Sequence, residues 1–381
     1  MLRIVPLFRE ILLDRGAYNH GIIKKIADFA STDPRTIRAL LNNKLKHIPM
    51  DTVSEVCRYF IEELGMDRDQ VSRSLFGFEP DGLWPMLKHT HVDYCLGLRN
   101  LPQTSEPRWV NAYDAMLQGA FLEELFAIGH KHRSGLKQHL VRSYNPAGNQ
   151  TLLAKQTSDY YARLRERRGG RSLVCLGSVK SNPLSECVIA AAFGPKPFTP
   201  PKHVDRPSLC PFFLRYRDDD PHPLSCHAGR QTTGSCPDRG PGIYYETDSG
   251  DWEFCPTDDL HDAAIVFYIH RPTERSTEMV LAGFSGLATG CVARDLSRLS
   301  KELWPPQLSQ EALMAGAFVV SYEFRKPPSA HVDFRYIVPK TQQPKVTAIS
   351  PKVLANRLQV DWEPASDEAE ETKPSQPVAP R

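Results

Sequence analysis

The feature that most constrains this chain is a change of hydrophobic period near Gly77. Before it, apolar residues recur at helical spacing. Leu7, Phe8, Ile11 and Leu12 make one face, which ends at Gly16. Ile22, Ile23, Ile26, Ala27 and Ala30 make a second, and Ile37, Leu40 and Leu41 a third. Val53, Val56, Cys57, Phe60 and Leu64 keep the same rhythm in a fourth, and a short fifth segment carries Val71 and Leu75. Five short helices predict a small helical bundle over residues 1–76.

Beyond a hinge at 77–90, marked by Pro80, Gly82 and Pro85, the pattern turns to mixed α and β. Strands are predicted at 91–98, 173–177, 209–216, 242–246, 263–269, 279–283 and 317–325. Helices are predicted at 109–130, 152–168, 183–193, 289–303 and 310–315. Strands alternating with helices predict a layered α/β domain over 91–341. Residues 342–381 are polar and proline-rich, carry the acidic run 367–371, and read as a disordered tail. The expected class is therefore α+β and multidomain.

Composition narrows the setting. No apolar run approaches the ~18 residues of a membrane span. Arg9, Glu10, Asp14 and Arg15 interrupt the first apolar stretch, so a signal peptide is not expected. Nine scattered cysteines favour reduced thiols, and a cytoplasmic location is the expectation.

The most specific pattern lies between Ile26 and Asn43. Ala27 is small where two helices would cross, and Ser31-Thr32-Asp33 forms a turn. Asp33 is placed to cap the next helix, with Pro34 at its first position, where a missing N–H costs nothing. Ile37, Leu40 and Leu41 bury that helix and leave Arg35, Thr36, Arg38 and Ala39 outward. Charge follows the same division. From Lys24 to Lys46 six basic residues face two acidic ones, whereas from Asp51 to Pro80 three face seven. A concentrated positive patch is what phosphate neutralisation needs.

On these residues the chain resembles the lambda-repressor-like, Cro/XRE-type helix-turn-helix family, with the match running from Ile22 to Lys44 and helix four in support. Ser31 stands where the family's turn has Gly, and Thr32 where it has an apolar residue. The resemblance implies a protein of double-stranded DNA, with Arg35, Thr36 and Arg38 for base contact and Lys24, Asn42, Asn43 and Lys44 for phosphate. It also implies a homodimer reading two half-sites.

Two turns in the α/β region have the composition of anion sites. Gly177, Ser178, Ser181 and Asn182 follow one predicted strand, and Gly283, Ser285, Gly286 and Thr289 follow another. Small residues at the carboxyl ends of strands fit a small acidic or nucleotide-like ligand. Neither turn has Walker A or dinucleotide-fingerprint spacing, and Gly283-Phe284-Ser285-Gly286-Leu287 lacks the last Gly of a nucleophile elbow. The cysteines and histidines between 210 and 261 lack the paired spacing of a zinc site, so no metal or cofactor is expected. The reading is a DNA-binding transcriptional regulator whose α/β domain senses a ligand or dimerises. The alternatives are an enzyme acting on a nucleotide-like substrate, with the helical module for targeting, and a protein-interaction module.

Overall fold

Strand alternation along the central segments sends side chains to two opposite covered faces. In β3 (His91–Arg99) Val92, Tyr94 and Leu96 pack on one face and Cys95 on the other. In β6 (Arg171–Leu176) Val174 and Leu176 take the first face, Leu173 and Cys175 the second. Sheets buried on both sides need such near-continuous apolar strands.

The computed structural model describes the chain from Ile4 to Gln359 with interruptions; the longer ones are residues 72–75, 100–108, 129–134, 144–147, 199–209, 221–238 and 326–338. Among the described residues its N-terminal part holds a strand pair, β1 (Ile4–Pro6) with β2 (Phe76–Phe78), and four helices. These are α1 (Phe8–Asp14), α2 (Ile22–Phe29), α3 (Pro34–Leu41) and α4 (Met50–Glu62). Phe8, Ile26, Ile37, Leu40, Val56 and Phe60 are fully buried at its centre. Of the fifth predicted helix, Val71 is buried in this core, and residues 72–75 lie outside the described residues.

The rest is a mixed α/β unit built on a nine-stranded sheet. Besides β3 and β6 it contains β4 (Trp109–Val110), β5 (Leu136–Arg142), β10 (His261–Arg271) and β11 (Ser276–Gly283). The remaining strands are β12 (Leu308–Ser309), β13 (Met314–Glu323) and β14 (Lys345–Ala348). The central order is β13-β10-β11-β6-β3, with β12 and β14 on β13 and with β4 and β5 on β3. Strands β11, β6, β3 and β5 run parallel, while β10 is antiparallel to both its neighbours. One face carries α5 (Ala112–Ala127) and α8 (Gly286–Glu302). The other carries α6 (Gln150–Arg165), α7 (Leu184–Phe193) and a small antiparallel sheet of β7 (Phe212–Arg215), β8 (Gly242–Glu246) and β9 (Trp252–Pro256). The two parts touch where Arg275 donates to the Leu13 carbonyl at 3.0 Å.

Several expectations are corrected. Residues 310–315 form no helix; Met314 already pairs with His270 in β13, and sheet pairing overrides the helical preference of the local alanines. The tail is ordered in its first part. Strand β14 extends the β13 edge, and α9 (Pro351–Arg357), capped by Ser350, buries Val353 and Leu354. The expected hinge is also committed to structure, since Trp84–Leu87 forms a 3-10 turn whose Trp84 and Leu87 enter the sheet core. Strand β5 has no counterpart in the sequence reading, because Lys137, Gln138 and an exposed Leu140 give it no apolar signature.

Candidate nucleic-acid interface and strand-end turns

Helix α2 ends in a turn that fixes the direction of α3. Ser31 has φ of 48°, in the left-handed region, and Thr32 N–H reaches back to the Ala27 carbonyl at 2.9 Å. This is the reversed hydrogen bonding of a Schellman-type helix end, for which Gly is the least costly residue. Asp33 then caps α3, accepting from Arg35 N–H at 2.6 Å, with Pro34 at the first helical position. Ile37, Leu40 and Leu41 are buried against the bundle. Arg35, Arg38, Lys24 and Lys44 are exposed, and Thr36 is half-buried between the arginines. Asn42 is half-buried, and its Oδ1 accepts from Arg9 of α1 at 3.1 Å, so its amide is already oriented within the domain. Asn43 lies outside the described residues.

The two small-residue turns lie side by side, at the carboxyl ends of the adjacent parallel strands β6 and β11. The second turn supplies its own anion. Asp262 accepts from the Ser285 hydroxyl, from Ala288 N–H at 3.2 Å and from Ala263 N–H. A carboxylate at the start of α8 satisfies the positive end of that helix. Ser285 caps it, Thr289 hydrogen-bonds to the Ser285 carbonyl, and Gly286 packs beneath Tyr113.

The first turn differs. Asn182 is fully buried and fully used: its amide donates to the Cys95 and Leu176 carbonyls and its oxygen accepts from Leu184 N–H. It therefore ties the ends of β3 and β6 together. Gly97 of β3 lies directly under the Ser181 carbonyl, where any Cβ would collide, so the approach requires glycine. Gly177, with φ of 96°, faces α5: a Cβ there would stand 2.9 Å from Asp114 Oδ1 and 2.7 Å from Ser181 Oγ. The chain leaving β3 passes to α5 on one face, and the chain leaving β6 passes to α7 on the other. Between the two strand ends the Asn182 bridge and the contact of the Ser181 carbonyl with Gly97 fill the space.

Asp114, in the first turn of α5, is 2% exposed and packs beside Gly177. Burial pushes its carboxyl up to about 6, against the opposing pulls of Ser181 and Arg99. Its Oδ2 has no hydrogen-bond partner among the described residues. Nothing in the sequence marked Asp114 as more than an acid at a helix start, a position the helix dipole favours anyway. Gly97 and Arg99 were equally unmarked.

A separate cleft of about 460 Å³ lies between the small sheet and the β13–β14 edge, lined by Tyr245, Phe254, His261, Ser321 and Lys345 among others. There Asp258 holds the His261 ring through Nδ1 at 2.8 Å. No group of three or more metal-ligating side chains occurs among the described residues, and none of their helices is long and apolar enough to cross a membrane. No family model matches the chain, and no curated protein matches it.

Proposed function

We propose that this protein is a sequence-specific DNA-binding regulator, with α3 as the recognition helix of a lambda-repressor-like, Cro/XRE-type bundle and the α/β unit as its sensor. The observation that carries the proposal is the left-handed turn at Ser31. It supplies with Ser the backbone conformation for which the family uses Gly, and it leaves Arg35 and Arg38 outward over a buried Ile37, Leu40 and Leu41. An outward arginine near the start of such a helix can donate two parallel hydrogen bonds to guanine, worth about 1–3 kcal/mol of base discrimination. Lys24 and Lys44 flank it as phosphate contacts, which position the helix without specifying sequence. A homodimer would set two recognition helices about one DNA turn apart.

The test is selection of bound sequences from random duplex DNA by the full chain. The proposal expects a defined, two-fold-related site bound tightly at low salt and progressively less well as salt rises. Recovery of unselected sequence at every salt concentration would overturn it.

A further inference from the structure

Helix α5 is apolar on both sides. Leu117, Phe121 and Leu125 are fully buried against the sheet. The opposite side is exposed, yet it carries Ala112, Ala115, Met116, Gly119 and Phe126, with Glu123 its one exposed charge. A helix that is hydrophobic all round is ordinarily covered all round. Of the seven large apolar side chains exposed among the described residues, Met116 and Phe126, the latter 54% exposed, lie on this side. Two more belong to the same region: Trp109 precedes the helix, and Leu140 of β5 alternates onto the sheet face that α5 covers. Clustering of this kind marks a docking surface, whereas scattered apolar residues do not. Gly119 adds an independent observation. A glycine inside a helix costs about 1 kcal/mol relative to alanine. Nothing among the described residues stands within 4 Å of where its Cβ would be, so packing within the chain does not require it. A second backbone passing close by would.

The sequence of the face says what covers it. Ala112, Ala115, Gly119, Leu122 and Phe126 follow the alternating three- and four-residue spacing of a helix-pairing seam. Their sizes run from small to large along the helix. Reversed about Gly119, the series complements itself: Phe126 meets the partner's Ala112, and Leu122 meets the partner's Ala115. A two-fold axis through Gly119 produces that match, as a self-complementary dimer interface requires. The α8 side of α5 is already occupied, since Gly286 packs beneath Tyr113, and Leu122 lies half a turn around the helix from Tyr113. Helix α5 contains no Lys or Arg, and its acids Asp114, Glu123 and Glu124 oppose an anionic lipid surface or nucleic acid. We propose that α5 packs antiparallel on α5 of a second copy of this chain, with the two Gly119 backbones closest at the axis. This needs no part of the DNA-binding reading, whose homodimer it would supply with a surface.

The experiment is sedimentation velocity of the full chain over a dilution series, without DNA. The expected result is a concentration-dependent dimer and no larger species. Gly119→Lys should raise the dissociation constant by at least about tenfold, because it sets two ammonium groups in the seam. At dilutions where the parent is monomeric, thermal unfolding of Gly119→Lys should come no earlier, since lysine is the better helix former. Oxidation by diamide should link Gly119→Cys into a covalent dimer in higher yield than either the parent or Glu123→Cys, which lies off the axis. A chain that stays monomeric up to its solubility limit would assign this face to a different partner and overturn the proposal. A dimer as tight in Gly119→Lys as in the parent, or equal cross-linking of the two cysteine variants, would overturn it too. Because DNA is absent, each failure leaves the DNA-binding reading standing on its own test.

Discussion

Asp93 and Glu278, at the amino end of the parallel strands, are buried acids held by cationic partners, whereas Asp114, at the carboxyl end, keeps one oxygen without a hydrogen-bond partner among the described residues. At the amino end Asp93 of β3 and Glu278 of β11 flank Leu173 of β6 in register. Arg171 donates twice to Asp93, at 2.7 and 3.0 Å, and His139 holds the other oxygen at 2.7 Å while its second nitrogen meets the Tyr160 hydroxyl. Glu278 accepts from Arg271 at 2.9 Å and from the Tyr161 hydroxyl at 2.6 Å, with Arg165 at 3.8 Å. Burial alone would raise both acids, yet these partners hold each below the ordinary carboxylate range. At the carboxyl end Asp114 has no such set, and burial wins. Burial is common to all three, so the difference lies in partners. A buried acid met by cationic partners pins elements together, and the hydrogen bonds of Asp262 alone do not offset its burial.

That contrast can be broken by substitution. Removing Glu278 strands the largely covered guanidinium of Arg271, so Glu278→Ala should cost about 3–5 kcal/mol in denaturant unfolding. A loss under 1 kcal/mol would mean that the amino-end network holds nothing together. Asp114→Asn should move the other way, stabilising the ligand-free chain at pH 7.5 by on the order of 2–3 kcal/mol. The sign follows from proton binding: with its folded pKa raised, Asp114 binds more protons folded than unfolded between about pH 4 and 6, so its contribution falls as pH rises through that window. The gain in Asp114→Asn should therefore fade towards pH 4. Asp93 and Glu278 have depressed values, and their contribution is present above the unfolded pKa and lost as pH falls further. Urea unfolding from pH 3.5 to 8 separates the two behaviours. The smallest effect is expected from Tyr161→Phe, which removes one charge-assisted hydrogen bond to Glu278 and should cost about 1.5–3 kcal/mol. A Tyr161→Phe protein as stable as the parent would show that the arginines alone saturate Glu278.

How much of this was legible in the sequence depended on whether the signal was local. The α2–turn–α3 geometry was readable because Ala27, Asp33, Pro34, Ile37 and Leu40 act within a few residues of one another. The apolar strands β6, β10 and β11 were readable for the same reason. Strand β5 was not, because a polar edge segment acquires its role only by pairing with β3. Nor was α9, whose Val353 and Leu354 matter only against the distant core. At the end of β6, Gly177 to Asn182 stood out as small and polar. Asp114 became visible only when α5 was laid across the end of β6, some sixty positions away in sequence. Sequence composition also marked the two small-residue turns as equivalent, and Asp262 distinguishes them.

The central claim, that α3 reads DNA, is tested most directly by the affinity of the full chain for its selected duplex and for an unrelated duplex, before and after Arg35→Ala. The account predicts that the substitution weakens the selected site by about 1–3 kcal/mol and relaxes preference at one base pair, with little change on unrelated DNA. Equal loss on both duplexes, or no loss on either, would contradict it.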